Sequence, residues 1–220
     1  MKQDLTQITM VLDRSGSMSV VRDATILGFN EFVEGQKKAP GDASLTLIQF
    51  DSENAYEVVF DKPLKDAPAL TVETFVPRGA TPLHDAIGRT ITSLGAKLKR
   101  MAEADRPGKV VIVVMTDGLE NASHEYTAPQ LAEMIRHQHE TYKWEFIFLG
   151  ANQDAIMTGE KLNIPLAQSV TYAHTSGGTQ NVMRATTANV ASYRRTGIAG
   201  QSLAYTKEQR EEAADDQKPA

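Results

Sequence analysis

The 220-residue chain contains no cysteine, so disulfide bonds and thiolate metal sites are excluded. It also lacks a long apolar run, because the longest aliphatic stretch, VVIVVM, is far too short to cross a bilayer. Its formal net charge of -5 gives no electrostatic reason to expect a nucleic acid or an anionic membrane as partner. The segment MKQDLTQITM has no apolar core of signal-peptide length. These absences predict a cytoplasmic protein that binds neither nucleic acid nor membrane.

Apolar strands and amphipathic helices alternate along most of the chain. KVVIVVM is apolar at every position after its lysine, which is typical of a strand in a sheet covered on both faces. SLTLIQF and AYEVVF, separated by the short DSEN loop, predict a hairpin and hence one antiparallel edge strand. The whole pattern predicts an α/β fold: a Rossmann-like, doubly wound, mostly parallel six-stranded sheet with helices on both faces. The predicted strands are Ile8–Leu12, Ser44–Phe50, Ala55–Phe60, Lys109–Met115, Trp144–Gly150 and Gln168–Tyr172.

The predicted helices and the composition of the C-terminal part define the domain organisation. We interpret residues 1–196 as one domain, whose last helix covers one side of the sheet. Residues 197–220 are polar and charged, so we expect a disordered tail or a solvated helix there. Deletion from Thr206 onward is therefore expected to cost little stability. The predicted helices are Val20–Lys38, Leu83–Leu98, Thr127–His139, Asp154–Lys161 and Gly177–Arg195.

Three polar loops lie where a doubly wound fold binds its ligands. In such folds the crevice lies outside the carboxyl ends of the strands, at the point where the strand order reverses. Asp13 follows the first strand in the loop DRSGSM, which also carries Ser15 and Ser17. Asp117 follows the KVVIVVM strand, and Thr81 precedes a predicted helix. If these two strands are neighbours, all five side chains converge on one crevice.

The five side chains offer only oxygen atoms. An all-oxygen set selects a hard divalent cation, Mg²⁺ or Mn²⁺, before Zn²⁺ or Cu²⁺. The carboxylates of Asp13 and Asp117 would balance the charge of one such cation, while the hydroxyls add none. A cation left with an exchangeable water and little surplus negative charge can accept an anionic ligand from outside. The pattern therefore predicts a metal centre that captures a carboxylate of a protein partner.

The segments DRSGSM, GATPLHDAI and VMTDG, in this order, resemble the three parts of a metal-ion-dependent adhesion site (MIDAS) in a von Willebrand factor type A (VWA) domain. By this resemblance, Asp13, Ser15 and Ser17 form the Asp-x-Ser-x-Ser element, Thr81 is the threonine of the second loop and Asp117 the aspartate of the third. The resemblance covers nearly the whole predicted sheet, and no element of the motif is missing. It implies a VWA domain of the bacterial intracellular type that holds Mg²⁺ or Mn²⁺ and is not an enzyme. The implied partner is a protein that presents a Glu or Asp to the metal, such as an ATPase or a member of a multiprotein complex.

Two other functions stay open for these residues. One is a metal-dependent phosphohydrolase on a Rossmann-like sheet, although the haloacid dehalogenase type needs a second aspartate where this chain has Ser15. The other is a metal-free scaffold subunit that keeps only the fold. Each motif alone also has an ordinary explanation, since Asp13, Ser15 and Thr81 suit helix starts and TDG suits a tight turn. The residues expected to support the site from outside are Asp85, Glu120 and Asn121.

Overall fold

Six strands form one sheet in the computed structural model, which describes residues 1–151 and 155–215. In chain order they are β1 (Lys2–Asp13), β2 (Asp42–Phe50), β3 (Glu57–Pro63), β4 (Pro107–Thr116), β5 (Glu145–Ala151) and β6 (Ser169–Tyr172). Their order across the sheet is β3-β2-β1-β4-β5-β6. All neighbouring pairs are parallel except β2 and β3, which are antiparallel and place β3 at one edge. The predicted sheet is confirmed.

Helices cover both faces of this sheet, as predicted. Side chains alternate between two buried apolar clusters: Met10 of β1 belongs to one and Val11 to the other. The first cluster is covered by α1 and α5, and the second by α2 and α3. The predicted helix start at Asp154 lies outside the described residues. The helices are α1 (Arg22–Lys38), α2 (Leu83–Arg100), α3 (Ala128–Tyr142), α4 (Ala155–Lys161), α5 (Ser176–Thr196), α6 (Ala199–Ser202) and α7 (Lys207–Ala214).

β1 is longer than its apolar run predicted, because its first half carries buried polar side chains. Thr6 and Gln7 are both about 1% exposed. The Gln7 amide nitrogen donates to Thr46 Oγ1 on the neighbouring strand at 3.1 Å, which satisfies a polar group that would otherwise be costly to bury. A search for apolar positions alone misses such a strand segment.

The strand order reverses between β1 and β4. From β1 the chain adds β2 and β3 on one side, then returns to place β4, β5 and β6 on the other. Leu12 near the end of β1 pairs with Met115 near the end of β4. The residues that follow these two strands therefore emerge side by side at the carboxyl edge of the sheet, where ligands bind in this class of fold.

Residues 197–215 contain apolar side chains that pack on the domain, although most of α7 is exposed, as in the solvated helix that the composition allowed. Leu203, Tyr205 and Ala213 are buried within the cluster that α1 and α5 cover. The backbone N–H of Tyr205 donates to the carbonyl of Ala167, and that of Ala173 donates to the carbonyl of Ala213, at 2.9 and 2.8 Å. The composition of this segment does not predict burial, because it has only a few apolar side chains in a polar stretch. Three of them nevertheless pack against the edge of the sheet. The domain boundary at residue 196 stays a prediction.

Candidate metal centre

Asp13 lies at the carboxyl end of β1, and its side chain is held from two strands. The residue is fully buried. The backbone N–H of Ser15 donates to Oδ1 at 2.6 Å, and Thr116 Oγ1, from the end of β4, donates to Oδ2 at 2.6 Å. Neighbouring parallel strands thus fix the orientation of this carboxylate before any ligand arrives.

Ser17 joins the loop after β1 to the loop after β4. Its Oγ donates to Oδ1 of Asp117 at 2.7 Å and lies 3.2 Å from Oγ of Ser15. Ser15 occupies the N-cap position of a 3-10 turn, Gly16–Val21, yet its side chain makes no capping hydrogen bond. The alternative explanation of this serine as a helix cap is therefore not observed, and its hydroxyl faces the site.

Thr81 approaches the same point from the loop before α2. A Cβ atom at Gly118 would lie 3.3 Å from Thr81 Oγ1 and 4.0 Å from Ser17 Oγ, so both hydroxyls flank this glycine. α2 has Pro82 at its N-cap position and no capping side chain, so Thr81 is not the helix cap that its sequence context also allowed. The structure brings all five predicted side chains to one place.

The residues expected around the site hold its loops in position. Asn121 accepts the backbone N–H of Thr81 through Oδ1 at 2.9 Å. Glu120 accepts the backbone N–H of His84 at 2.8 Å. Asp85 accepts three backbone N–H groups of the loop before α3, at 2.9 to 3.0 Å. Burial raises the pKa of Asp85, but these three donors outweigh burial and leave its pKa below the ordinary value.

Arg14 is a supporting residue that the motif pattern does not reveal. Its guanidinium is buried, with Nε donating to Asp51 at 2.8 Å and Nη1 to Gln49 at 2.9 Å. Its carbonyl accepts the backbone N–H of Arg78 at 2.8 Å. The Asp-x-Ser-x-Ser pattern leaves this position open, and its partner Asp51 belongs to the turn between β2 and β3, so only the fold shows the connection.

His174 is the second residue that sequence reasoning missed. It lies between β6 and α5, and its Nε2 is 2.9 Å from Oδ2 of Asp117. A ring nitrogen therefore lies beside the oxygen atoms of the five predicted side chains. The separation of 57 residues from Asp117 leaves no local pattern that could have linked the two.

The carboxylates of Asp13 and Asp117 lie close together in a buried setting, which makes the site electrostatically demanding. Burial raises the pKa of Asp13 to about 7, although hydrogen bonds from Thr116 and Ser15 oppose the rise and the charge of Asp117 adds to it. Burial, followed by the charges of Asp117 and Asp13, also raises the pKa of the Tyr172 phenol, whose hydroxyl donates to the carbonyl of Thr116. A bound cation would relieve this crowding of negative charge.

The donor set and its spacing fit a small hard divalent cation. Neighbouring ligands of an octahedral Mg²⁺ lie roughly 3 Å apart, given bonds of about 2.1 Å. Ser17 Oγ lies 2.7 Å from Oδ1 of Asp117 and 3.2 Å from Oγ of Ser15. Oδ2 of Asp117 is buried and accepts no hydrogen bond from the described residues. Within the same part of the chain, no group of three or more His, Cys, Asp or Glu side chains is arranged to hold a metal, so a cation at this place would need hydroxyl ligands as well.

Comparison with known proteins finds structures with a similar fold but no sequence family that matches this chain. No family model matches the chain, and no curated protein does. Among solved structures, proximal thread matrix protein 1 from the mussel byssus, with a zinc-occupied MIDAS motif, aligns at a TM-score of 0.59 and 14% identity. A von Willebrand factor type A protein from Catenulispora acidiphila aligns at 0.55 and 13%, and the VWA domain of SpRpn10 at 0.51 and 12%.

These alignments cover most of this chain and show that it has the fold of VWA domains. They span 83%, 84% and 76% of it, in the same order. The chain spans less than half of the mussel and Catenulispora proteins, at 47% and 42%, and 86% of the SpRpn10 domain. Within residues 1–151 and 155–215, every helix falls short of the length or apolar character that crossing a bilayer requires.

Proposed function

We propose that this chain is a divalent-cation-dependent protein-binding module. Asp13, Ser15, Ser17, Thr81 and Asp117 would hold Mg²⁺ or Mn²⁺, and the site would capture a Glu or Asp side chain of a partner protein. The observation that carries the proposal is the convergence of two buried carboxylates and three hydroxyls at the reversal of strand order. The zinc-occupied MIDAS of a mussel protein with the same fold supports a divalent cation.

The charge balance favours capture of an anion over storage of the cation. The bound cation supplies positive charge and an exchangeable coordination position. Asp13 and Asp117 contribute two negative charges, and the hydroxyls of Ser15, Ser17 and Thr81 contribute none. Ser17 is exposed, so an incoming side chain can reach the site without rearrangement of the loop. A partner carboxylate would then be attracted to a cation whose charge the two aspartates balance without any excess of negative charge.

Binding rather than catalysis is part of the proposal. A phosphohydrolase of the haloacid dehalogenase type would use a carboxylate as general acid or base two residues after Asp13, and Ser15 stands there. Hydrolysis of p-nitrophenyl phosphate by the purified protein with Mg²⁺, lost on Asp13→Asn, would overturn this part. By the resemblance to intracellular bacterial VWA domains, the proposed partner is cytoplasmic, with ATPases and multiprotein complexes as the first classes to test.

The proposal is tested by affinity capture from native lysate with the immobilised full chain. Wild type, Asp13→Asn and Asp105→Asn are compared, each with Mg²⁺ and with EDTA. Asp105 is the matched control because its carboxylate is exposed and pairs with Lys2, far from the site. A partner held by wild type and Asp105→Asn, and released by EDTA and by Asp13→Asn, is the expected result. Partners that ignore both treatments would contradict the metal-bridged mechanism.

A further inference from the structure

His174 is held in place at the junction between β6 and α5. The backbone N–H of Ala173 donates to the carbonyl of Ala213, and that of Thr175 donates to the carbonyl of Ala173, both at 2.8 Å. The imidazole itself is 16% exposed. The backbone on both sides of His174 is fixed and its side chain is mostly buried. The ring nitrogen therefore has a defined position, which can be compared with that of Asp117.

The Nε2 atom of His174 and Oδ2 of Asp117 approach each other without forming a hydrogen bond. They are 2.9 Å apart, and each is buried and lacks a hydrogen-bond partner among the described residues. Native structures seldom leave two such atoms unsatisfied side by side, because each has lost its hydrogen bonds to water without a replacement. The two atoms are within ion-pair distance of each other, and a third species bound between them would satisfy both.

The spacing of these atoms suits two ligands of one cation. Adjacent ligands at about 2.1 Å from an octahedral cation are roughly 3 Å apart, which is close to the observed separation. We propose that His174 Nε2 is a nitrogen ligand of the metal centre, next to Asp117. This inference rests on the proposed function and deepens it, because it adds a donor that the five-residue oxygen set does not include.

A nitrogen ligand changes which cations the site prefers. Imidazole suits Zn²⁺, Cu²⁺ and Ni²⁺, whereas Mg²⁺ and Mn²⁺ prefer oxygen ligands. Removal of His174 should therefore weaken Zn²⁺ binding much more than Mg²⁺ binding. The site would then have both oxygen and nitrogen ligands and would not be restricted to Mg²⁺. Which metal it binds in the cell would depend on which metals are available there.

The test is electron spin-echo modulation of Mn²⁺ bound to the purified full chain, which detects directly bound ¹⁴N. Wild type is compared with His174→Ala, His174→Gln and the control His84→Ala, another largely buried histidine near Thr81. We expect ¹⁴N modulation in wild type and His84→Ala, and none in the two His174 variants. Labelling wild type with ¹⁵N-histidine should also remove the ¹⁴N signal without any substitution. Zn²⁺ affinity should fall roughly ten- to a hundredfold in His174→Ala, and Mg²⁺ affinity much less.

The outcomes separate this inference from the proposed function. Wild type that binds Mn²⁺ without ¹⁴N modulation, or a signal that survives in both His174 variants, would overturn the histidine ligand and leave the five-residue centre standing. Wild type that binds neither Mn²⁺ nor Mg²⁺ would overturn both. Melting of the metal-free variants shows whether they fold. If they do not, the ¹⁵N-histidine-labelled wild type still shows whether a histidine nitrogen binds the Mn²⁺.

Discussion

We expect single hydroxyl groups to matter in the proposed metal centre as much as the charged residues do. Ser17 Oγ contacts both Asp117 and Ser15, so its loss removes a donor and loosens two others. Ser17→Ala should therefore reduce Mg²⁺ and Mn²⁺ affinity by roughly tenfold or more, although no charge changes. Calorimetric titration measures the effect. Ser19→Ala, an exposed serine of the same turn, is the control and should bind like wild type; equal losses in both variants would contradict the assignment.

Asp51 is expected to make stability depend on acid pH. Burial raises its pKa, but hydrogen bonds from the Asn54 backbone, Arg14 and Arg78 outweigh burial and leave its pKa below the usual 3.8. A carboxylate with a lowered pKa in the folded state stabilises the fold above its unfolded pKa, and this contribution is lost as pH falls through the lowered value. Asp51→Asn should thus cost on the order of 3 kcal/mol at pH 7, because Arg14 loses its buried partner.

Urea denaturation from pH 7 down to pH 3 measures this difference. The gap between wild type and Asp51→Asn should stay constant until about pH 4 and narrow below it. Asp23→Asn, whose side chain is 79% exposed, serves as control and should change the free energy of unfolding by less than about 0.5 kcal/mol. A gap that does not narrow in acid would mean that the charge of Asp51 is not what stabilises the turn.

The convergence of the five predicted residues could be anticipated from sequence because the loops that carry them follow a strand or precede a helix. A local pattern and a fold rule were enough to bring them together. Arg14 and His174 could not be found in this way, since their partners Asp51 and Asp117 are 37 and 57 residues away in the sequence. Their roles depend on which loops the sheet brings together, and the motif carries no information about that.

At the level of elements, α1 and α5 pack closely because small residues allow the approach. A Cβ at Gly35 would overlap Thr187 Cγ2, and the Thr187 hydroxyl is fixed by donating to the carbonyl of Met183 at 2.7 Å. Gly35→Ala should therefore lower the free energy of unfolding by about 1 kcal/mol or more, despite its better helix propensity. Gly95→Ala in α2 meets nothing within 4 Å and should raise it by up to about 1 kcal/mol. Chemical denaturation of both variants checks the contrast, and stabilisation by both would contradict the packing.

α7 closes the edge of the sheet at β6. Arg210 Nη1 donates to the carbonyl of Ser169 at 2.7 Å, and Nη2 donates to the carbonyls of Leu166 and Ala167 at 3.1 and 3.0 Å. The bond to Ser169 satisfies a β6 carbonyl that an open edge would leave exposed to pairing with another chain, and the other two fix the turn before β6.

Arg210→Ala should lower the free energy of unfolding by about 2 kcal/mol, because hydrogen bonds from a charged donor are lost. Lys207→Ala is the control, since the Lys207 side chain is 82% exposed and its ion pair with Glu211 is long, at 3.5 Å. Thermal melting compares the two. If both variants melt like wild type, α7 does not hold the edge, and the original expectation that deletion from Thr206 costs little would stand.

The strands and the first five helices could be predicted because their apolar residues repeat at regular spacing. The C-terminal segment could not, because α7 contributes a single buried residue, Ala213, and its docking relies on backbone and arginine hydrogen bonds. Amino-acid composition predicts which segments bury apolar side chains, but it does not predict which segments dock through hydrogen bonds. The early start of β1 was missed for a similar reason, since buried Thr6 and Gln7 interrupt the apolar pattern.

At the scale of the whole molecule, the order of the strands is what assembles the site. Asp13 and Thr116 meet only because β1 and β4 are parallel neighbours with their carboxyl ends aligned. Fold-level likeness to VWA domains agrees with this topology, but it leaves the occupancy of the site to be measured. Because only the folded chain brings the three loops together, a bound cation must also stabilise the fold.

Mg²⁺ and Mn²⁺ titration of the metal-free full chain, followed by calorimetry and by melting temperature, tests the metal centre directly. At a hundred times the dissociation constant, a cation bound only by the folded state adds about 2.7 kcal/mol, or roughly 5–10 °C for a chain of this size. Wild type should bind one cation and show this rise, and Asp117→Ala should lose most of it while melting near wild type without metal. Equal shifts in both proteins, or no binding by wild type, would show that Asp13, Ser15, Ser17, Thr81 and Asp117 do not form a metal site.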